Sequence, residues 1–185
     1  MYNLKDQVTI VTGGAGSIGG AIVRALLREG AKHVTLLDIN EDRGFHMEKE
    51  FSKIYGKDKV KFTKCDVTVE TEMFEAFEKT VKDHGYIDVV INNAAIADDR
   101  LNMYERTIKT NLVGVVTGTL KAVELMRKDK GGKGGTIINI SSVIALQLSA
   151  PTLFVYAATK SAIIHLTCCM GVSNNCHVLF LRLLT

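Results

Sequence analysis

The sequence predicts a doubly wound α/β domain: a parallel β-sheet with helices on both faces. Three observations predict it. Short β-branched runs alternate with longer amphipathic stretches through the chain. A glycine-rich turn joins the first such run to the first such stretch. The run over 87–92 is apolar almost throughout, as a central parallel strand buried on both faces should be.

Taken in order, residues 8–11 form the first predicted strand and 18–29 the first helix, stopped by Gly30. A second strand spans 34–38, and a helix over 42–55 ends at Gly56. A third strand spans 60–65, followed by a helix over 70–84 before Gly85. The fourth strand is 87–92, a long helix runs over 104–128, and 130–135 is a glycine-rich turn. A fifth strand spans 136–141, and 151–171 contains the last long helix. No internal repeat or long linker interrupts this order, so 1–171 reads as one domain. Right-handed crossovers bring the C-terminal end of every strand to one edge of the sheet, where ligands bind. Residues just after strands are therefore the candidates for function.

The composition suits such a domain and excludes several alternatives. Of 185 residues, 46% are hydrophobic and 23% charged, a globular balance rather than a disordered one. The net charge of +3 arises from bases scattered among nearly as many acids, which argues against a nucleic-acid partner. No apolar run reaches the ~18 residues of a membrane span, and the N-terminal segment has no secretory apolar core. Cys65, Cys168, Cys169 and Cys176 form no CxxC pair, and the histidines have no ligand spacing, so no metal is expected. The thiols read as reduced and the chain as cytoplasmic.

Gly14-x-Gly16-x-x-Gly19 follows the first strand and opens the first helix. Small residues from Gly13 through Ser17 and Ile18 let the backbone approach a pyrophosphate, and the helix N-terminus offers it open N–H groups and a positive dipole end. Asp38 ends the second strand nineteen residues beyond Gly19. A carboxylate there accepts hydrogen bonds from a ribose hydroxyl and repels a 2′-phosphate. Its neighbours Ile39 and Asn40 bring no positive charge, so NAD is expected rather than NADP. The third strand ends in Cys65-Asp66-Val67, and Asp66 reads equally as a cap for the next helix or as a partner for an adenine edge.

Asn92-Asn93-Ala94-Ala95 follows the fourth strand, Ser141-Ser142 the fifth, and Tyr156-x-x-x-Lys160 opens the last long helix. An i, i+4 pair shares one helix face, so the Lys160 ammonium can sit near the Tyr156 hydroxyl. A free phenol titrates near pH ~10 and is a poor base at neutrality, whereas a nearby cation favours the phenolate. That is the arrangement proton abstraction needs.

These motifs resemble those of the short-chain dehydrogenase/reductase family. Four signatures carry the resemblance in order: Thr12-Gly13-Gly14-Ala15-Gly16-Ser17-Ile18-Gly19, Asn92-Asn93-Ala94-Ala95, Asn139-Ile140-Ser141-Ser142 and Tyr156-x-x-x-Lys160. It spans about residues 5–171, and residues 36–40 and 131–142 look most like the NAD-dependent branch that holds 15-hydroxyprostaglandin dehydrogenase and the insect-type alcohol dehydrogenases. The resemblance implies a Rossmann-like sheet, NAD as cofactor, and oxidation of a secondary alcohol such as a hydroxy-lipid to a ketone. Tyr156 would be the general base. Lys160 would depress its pKa and hold the nicotinamide ribose, and Ser142, preferred to Ser141, would bind the substrate oxygen. Asn111 would order a proton-relay water. Asp66, Val67, Asn93 and Ala94 would join the cofactor site, and the helices over 104–128 and 156–171 would form a homodimer.

Three departures accompany the resemblance. Ser17 replaces the family's second glycine, Ala95 stands where the pattern has glycine, and Ser142 to Tyr156 is one residue longer than expected, to be absorbed in the loop containing Pro151. The family's chains also run longer. Residues 172–185 read as an atypical tail, with 178–185 a partial sixth strand, and the family's last strand and substrate lid are expected to be lacking. An altered reading frame, alternative splicing or a gene-model error is the expected origin of that tail. The expected consequence is weak NAD binding and poor turnover, and the alternative function is that of a dinucleotide-binding or dimerising protein only.

Overall fold

The computed structural model describes residues 3–147, 152–173 and 177–181. Its six-stranded sheet is parallel throughout, in the order β3-β2-β1-β4-β5-β6. The first strand, β1 (Val8–Thr12), is β-branched at every position and wholly buried. It is followed by α1 (Ser17–Arg28), β2 (His33–Asp38), α2 (Glu41–Tyr55) and β3 (Val60–Lys64), so this half winds away from β1 to one side. Asn40 starts α2 by accepting a hydrogen bond from Arg43 N–H at 3.0 Å, and Glu41 and Asp42 complement the helix dipole in its first turn.

The chain then passes through α3 (Glu70–His84) to β4 (Val89–Asn92), which pairs with the other side of β1. Helices α4 (Tyr104–Ile108) and α5 (Gly114–Met126) lead to β5 (Thr136–Ile140), and α6 (Phe154–Ser173) leads to β6 (His177–Leu181). The winding direction thus reverses between β1 and β4. Above that point the crossovers leave in opposite directions, and a crevice opens.

Each sheet face has its own core. On one, Leu26 of α1 and Phe51 of α2 pack on Val11, Leu36, Phe62 and Ile91. On the other, Met73 and Phe77 of α3 and Ala122 and Met126 of α5 pack on Ile10, Leu37, Val90 and Ile137. A buried polar ladder crosses the second face: Asn92 Nδ2 donates to Asn139 Oδ1 at 2.8 Å, and Asn139 Nδ2 donates to Thr167 of α6 at 3.0 Å. Thr119 of α5 also donates to Asn139 Oδ1. These bonds tie β4, β5, α5 and α6 into one arrangement, while Asn92 Oδ1 stays buried without a partner.

The helix expected over 104–128 runs as unbroken helical backbone from Tyr104 to Met126, but not as one regular α-helix. A π-helical turn, Lys109–Val113, separates α4 from α5, and α5 ends at Met126. Asn111 lies within this turn, its side chain fully buried and bonded to another segment, as described below. The last helix begins at Phe154, and the predicted loop adjustment around Pro151 lies outside the described residues.

Candidate active site

A groove of about 410 Å³ lies over the crevice. Of the residues expected to bind a cofactor, Gly13, Gly16, Ser17, Ile18, Gly19, Asp38, Ile39, Asp66, Val67, Asn93, Ala94 and Tyr156 line it. Gly14, Asn111, Ser142 and Lys160 are not among its lining residues.

The glycine turn is shaped by close approach. Gly13 adopts φ +64°, and a Cβ there would stand 2.8 Å from Ala94 Cα. A Cβ on Gly19 would collide with the Gly13 carbonyl. Asn93 fixes the same junction, donating from Nδ2 to the carbonyls of Thr12 (3.0 Å) and Gly13 (3.2 Å). Thr12 Oγ1 in return accepts from Asn93 and Ala94 N–H at 3.0 and 3.1 Å. The first turn of α1 carries no acid, and Gly16 at its N-cap brings no side chain, so its open amides face the groove.

Asp38 has two local duties. Its Oδ2 accepts from Ala15 N–H and its Oδ1 from Asn40 N–H, both at 2.9 Å. The carboxylate therefore locks the glycine turn against the end of β2 while lining the groove. Asp66 does not cap α3, whose N-cap is Val69 with no side-chain cap bond. Instead Asp66 Oδ1 accepts from Thr68 N–H and Oγ1 at 2.9 and 2.7 Å, building its own turn. Its Oδ2 lies 3.6 Å from Arg106, a groove residue that motif reading passed over because it sits inside an unremarkable helical stretch. Cys65 also lines the groove, but burial pushes its thiol up to about 12, so it stays protonated.

At the far end of the groove stands Tyr156. Lys160 is 2% exposed, with Nζ 5.7 Å from the centre of the Tyr156 ring and donating to the Ile140 carbonyl at 2.8 Å. Burial lowers its pKa to about 8. The two serines divide the work. Ser141 is buried and donates to the Lys160 carbonyl at 2.7 Å, whereas half-buried Ser142 accepts a long 3.4 Å bond from Ile144 N–H. Ser142 is thus the serine whose hydroxyl is less committed. Asn111 accepts from Ile96 N–H at 2.7 Å, donates to the Ile96 carbonyl at 2.8 Å, and reaches Thr159 Oγ1 at 3.3 Å. It joins the loop after β4 to α6 through the π-turn.

Among the described residues no cluster of His, Cys, Asp or Glu could hold a metal, and no helix is long and apolar enough to cross a membrane. What the arrangement offers chemically is an anion cradle beside two carboxylates, ending at a phenol with a buried lysine behind it.

A crevice at the reversal of a parallel sheet, with a glycine turn before α1, defines the class of doubly wound nucleotide-fold proteins. The chain belongs to the short-chain dehydrogenase family, whose model matches residues 7–177. It is 36% identical to rat (Rattus norvegicus) 15-hydroxyprostaglandin dehydrogenase [NAD(+)], over 94% of this chain and 64% of the relative. It is 32% identical to alcohol dehydrogenase 1 of Ceratitis cosyra, over 91% of this chain and 64% of the relative. The chain therefore spans less than two thirds of the length of these curated relatives. Its fold superposes with a TM-score of 0.88 on a short-chain dehydrogenase/reductase from Burkholderia phymatum in complex with NAD, at 20% identity, covering 98% of this chain and 66% of that one.

Proposed function

We propose that this chain carries the NAD site and the reacting groups of an oxidoreductase that converts a secondary alcohol to a ketone, with hydroxy-lipids as the substrate class. The observation that carries this reading is the single groove joining the glycine turn, Asp38 and Tyr156, with Lys160 behind the phenol.

The residues present fit NAD. At Gly13 and Gly19 the turn packs on Ala94 and on itself too closely for any side chain, and the open amides that follow border the groove where a pyrophosphate would lie. Asp38 keeps lone pairs for the adenosine ribose, and its charge opposes a 2′-phosphate. Asp66 and Val67 border the space for an adenine. When bound, NAD supplies the hydride acceptor. Tyr156 would stand as the base at the substrate hydroxyl, taking its proton as the alcohol becomes a ketone. Lys160 would place its ammonium behind the phenol and hold the nicotinamide ribose, Ser142 would hydrogen-bond the substrate oxygen, and Asn111 would order the relay of the proton outward.

The names of the relatives above support this reading. Tyr156→Phe is expected to lower NADH production by at least about 10²-fold while leaving the NAD dissociation constant within about twofold. Stopped turnover assays and NAD titration read both. A wild-type chain that binds NAD yet oxidises no secondary alcohol would instead support a dinucleotide-binding protein without catalysis.

A homodimer through the helical stretch 104–128 and α6 belongs to the same proposal, supported by Val113 of the π-turn and Leu120 of α5, exposed at 47% and 54%. Sedimentation velocity should show a dimer for the wild type and a monomer for Leu120→Arg; a monomeric wild type would refute it.

A further inference from the structure

The longest helix of the molecule begins without a cap of its own. Its first bond runs from Ala157 N–H to the Leu153 carbonyl at 2.8 Å, which makes Leu153 the N-cap residue. A leucine has no acceptor for the open amides that follow it. Asp99, in the loop after β4, has two. Its Oδ2 accepts from Val155 N–H at 2.7 Å and its Oδ1 from Tyr156 N–H at 3.0 Å. These are the second and third amides of the helix, the pair an N-cap side chain would take, and here the cap comes from 56 positions away. A carboxylate at that place also meets the positive end of the helix dipole.

The loop that Asp99 closes is a wall of the groove: Asn93, Ala94, Ala95, Ile96 and Ala97 all line it. Asn111 pins the middle of this wall through Ile96, and Asp99 pins its end to the backbone of Tyr156 itself. The cofactor-side wall and the first turn of the helix bearing the phenol are therefore held at one spacing by the Asp99 carboxylate, with Asn111 and Thr159 joining them one turn further on.

We propose that Asp99 is a positioning residue for Tyr156: by capping α6 from across the groove, it sets the phenol against the wall where substrate reacts. The inference rests on the reading of Tyr156 as the base. It requires both oxygens as acceptors. An asparagine of the same shape keeps one and turns an N–H donor toward a backbone N–H. Misplacement of a reacting group by about 1 Å is enough to slow a reaction by about 10²-fold.

The test compares Asp99→Asn, Asp99→Glu and the neighbouring control Asp98→Asn, all in the full chain. Expected for Asp99→Asn is a kcat lowered about 10- to 100-fold, with alcohol KM and NAD dissociation constant within about twofold, and partial recovery in Asp99→Glu. A second readout needs no turnover. With ring-labelled ¹³C-tyrosine, the signal assigned to Tyr156 by its loss in Tyr156→Phe should move in Asp99→Asn and stay in Asp98→Asn. An unmoved Tyr156 signal overturns the inference. So does an NAD affinity that falls as far as kcat, which would mark a general structural role. A wild type without turnover refutes the function above, while the tyrosine signal still judges Asp99.

Discussion

Lys160 sits in the molecule as a charge in an apolar setting, with the Ile140 carbonyl as the bond its ammonium makes. Burial takes its pKa from the ordinary 10.5 to about 8. At about 1.4 kcal/mol per pH unit, holding the charged form inside costs about 3 kcal/mol. Below about pH 8 the folded and unfolded chains both carry the proton, and the penalty is full. Between about 8 and 10.5 the unfolded chain binds more protons, so stability rises with pH until the penalty is gone. Lys160→Met should therefore be more stable than the wild type at pH 7, by about 1–3 kcal/mol, with the difference shrinking above pH 8. Urea unfolding of both proteins from pH 6 to 10.5 measures it; a difference that does not change with pH would contradict the account. Single residues such as Gly13, Gly19 and Asp38 were legible in the sequence because their spacing is local, within one strand–turn–helix unit. Asp99 was not, since its partners Val155 and Tyr156 are 56 and 57 positions distant and nothing in the pair Asp98-Asp99 distinguishes cap from surface.

The alternation of strands and helices was readable at the scale of the element, because burial on one or two faces imposes a period on the side chains. The π-turn between α4 and α5 was not. Residues 104–128 keep helical spacing, and nothing local marks Asn111 as the residue that bonds Ile96 on a different segment from within the π-turn. Its amide satisfies the N–H and C=O of Ile96 together, so the segment folds as though a short piece of ladder joined loop to helix. Asn111→Leu fills similar space and leaves both backbone groups unpaired. Each such group costs about 1–3 kcal/mol, and the variant should lose about 2–4 kcal/mol in all. A lower urea midpoint at unchanged slope would report it. Loss of less than about 0.5 kcal/mol would mean that the π-turn relaxes into regular helix without penalty.

The whole molecule is organised around the reversal between β1 and β4. Sequence alone predicted the parallel sheet and the edge on which function gathers, since right-handed crossovers leave little choice. It did not predict that both halves would be stapled at Thr12 and Asn93, nor that an asparagine ladder would cross the second core. Those depend on register between strands far apart in sequence. A ligand that fills the groove touches both halves and should stabilise the domain as a unit. At 100 times its dissociation constant, NAD should add about 2.7 kcal/mol and raise Tm by about 5–10 °C, and NADP at equal concentration much less. Differential scanning fluorimetry with each nucleotide checks this. An equal shift from NADP would remove Asp38 from its assigned role.

The bonds between Thr12 and Asn93 span 81 positions, and this has a bearing on how the chain comes to life. A ribosome delivers the glycine turn and Asp38 early, yet the opposite wall of the groove arrives only after α3 and β4 have emerged. Until β4 slides in beside β1, a dinucleotide has half a site to grip. Contacts of such long range form late and slowly. The nucleotide is therefore a reward for near-complete folding rather than a template for its first steps, and a nascent chain halted before β4 would gain little from a cell rich in it.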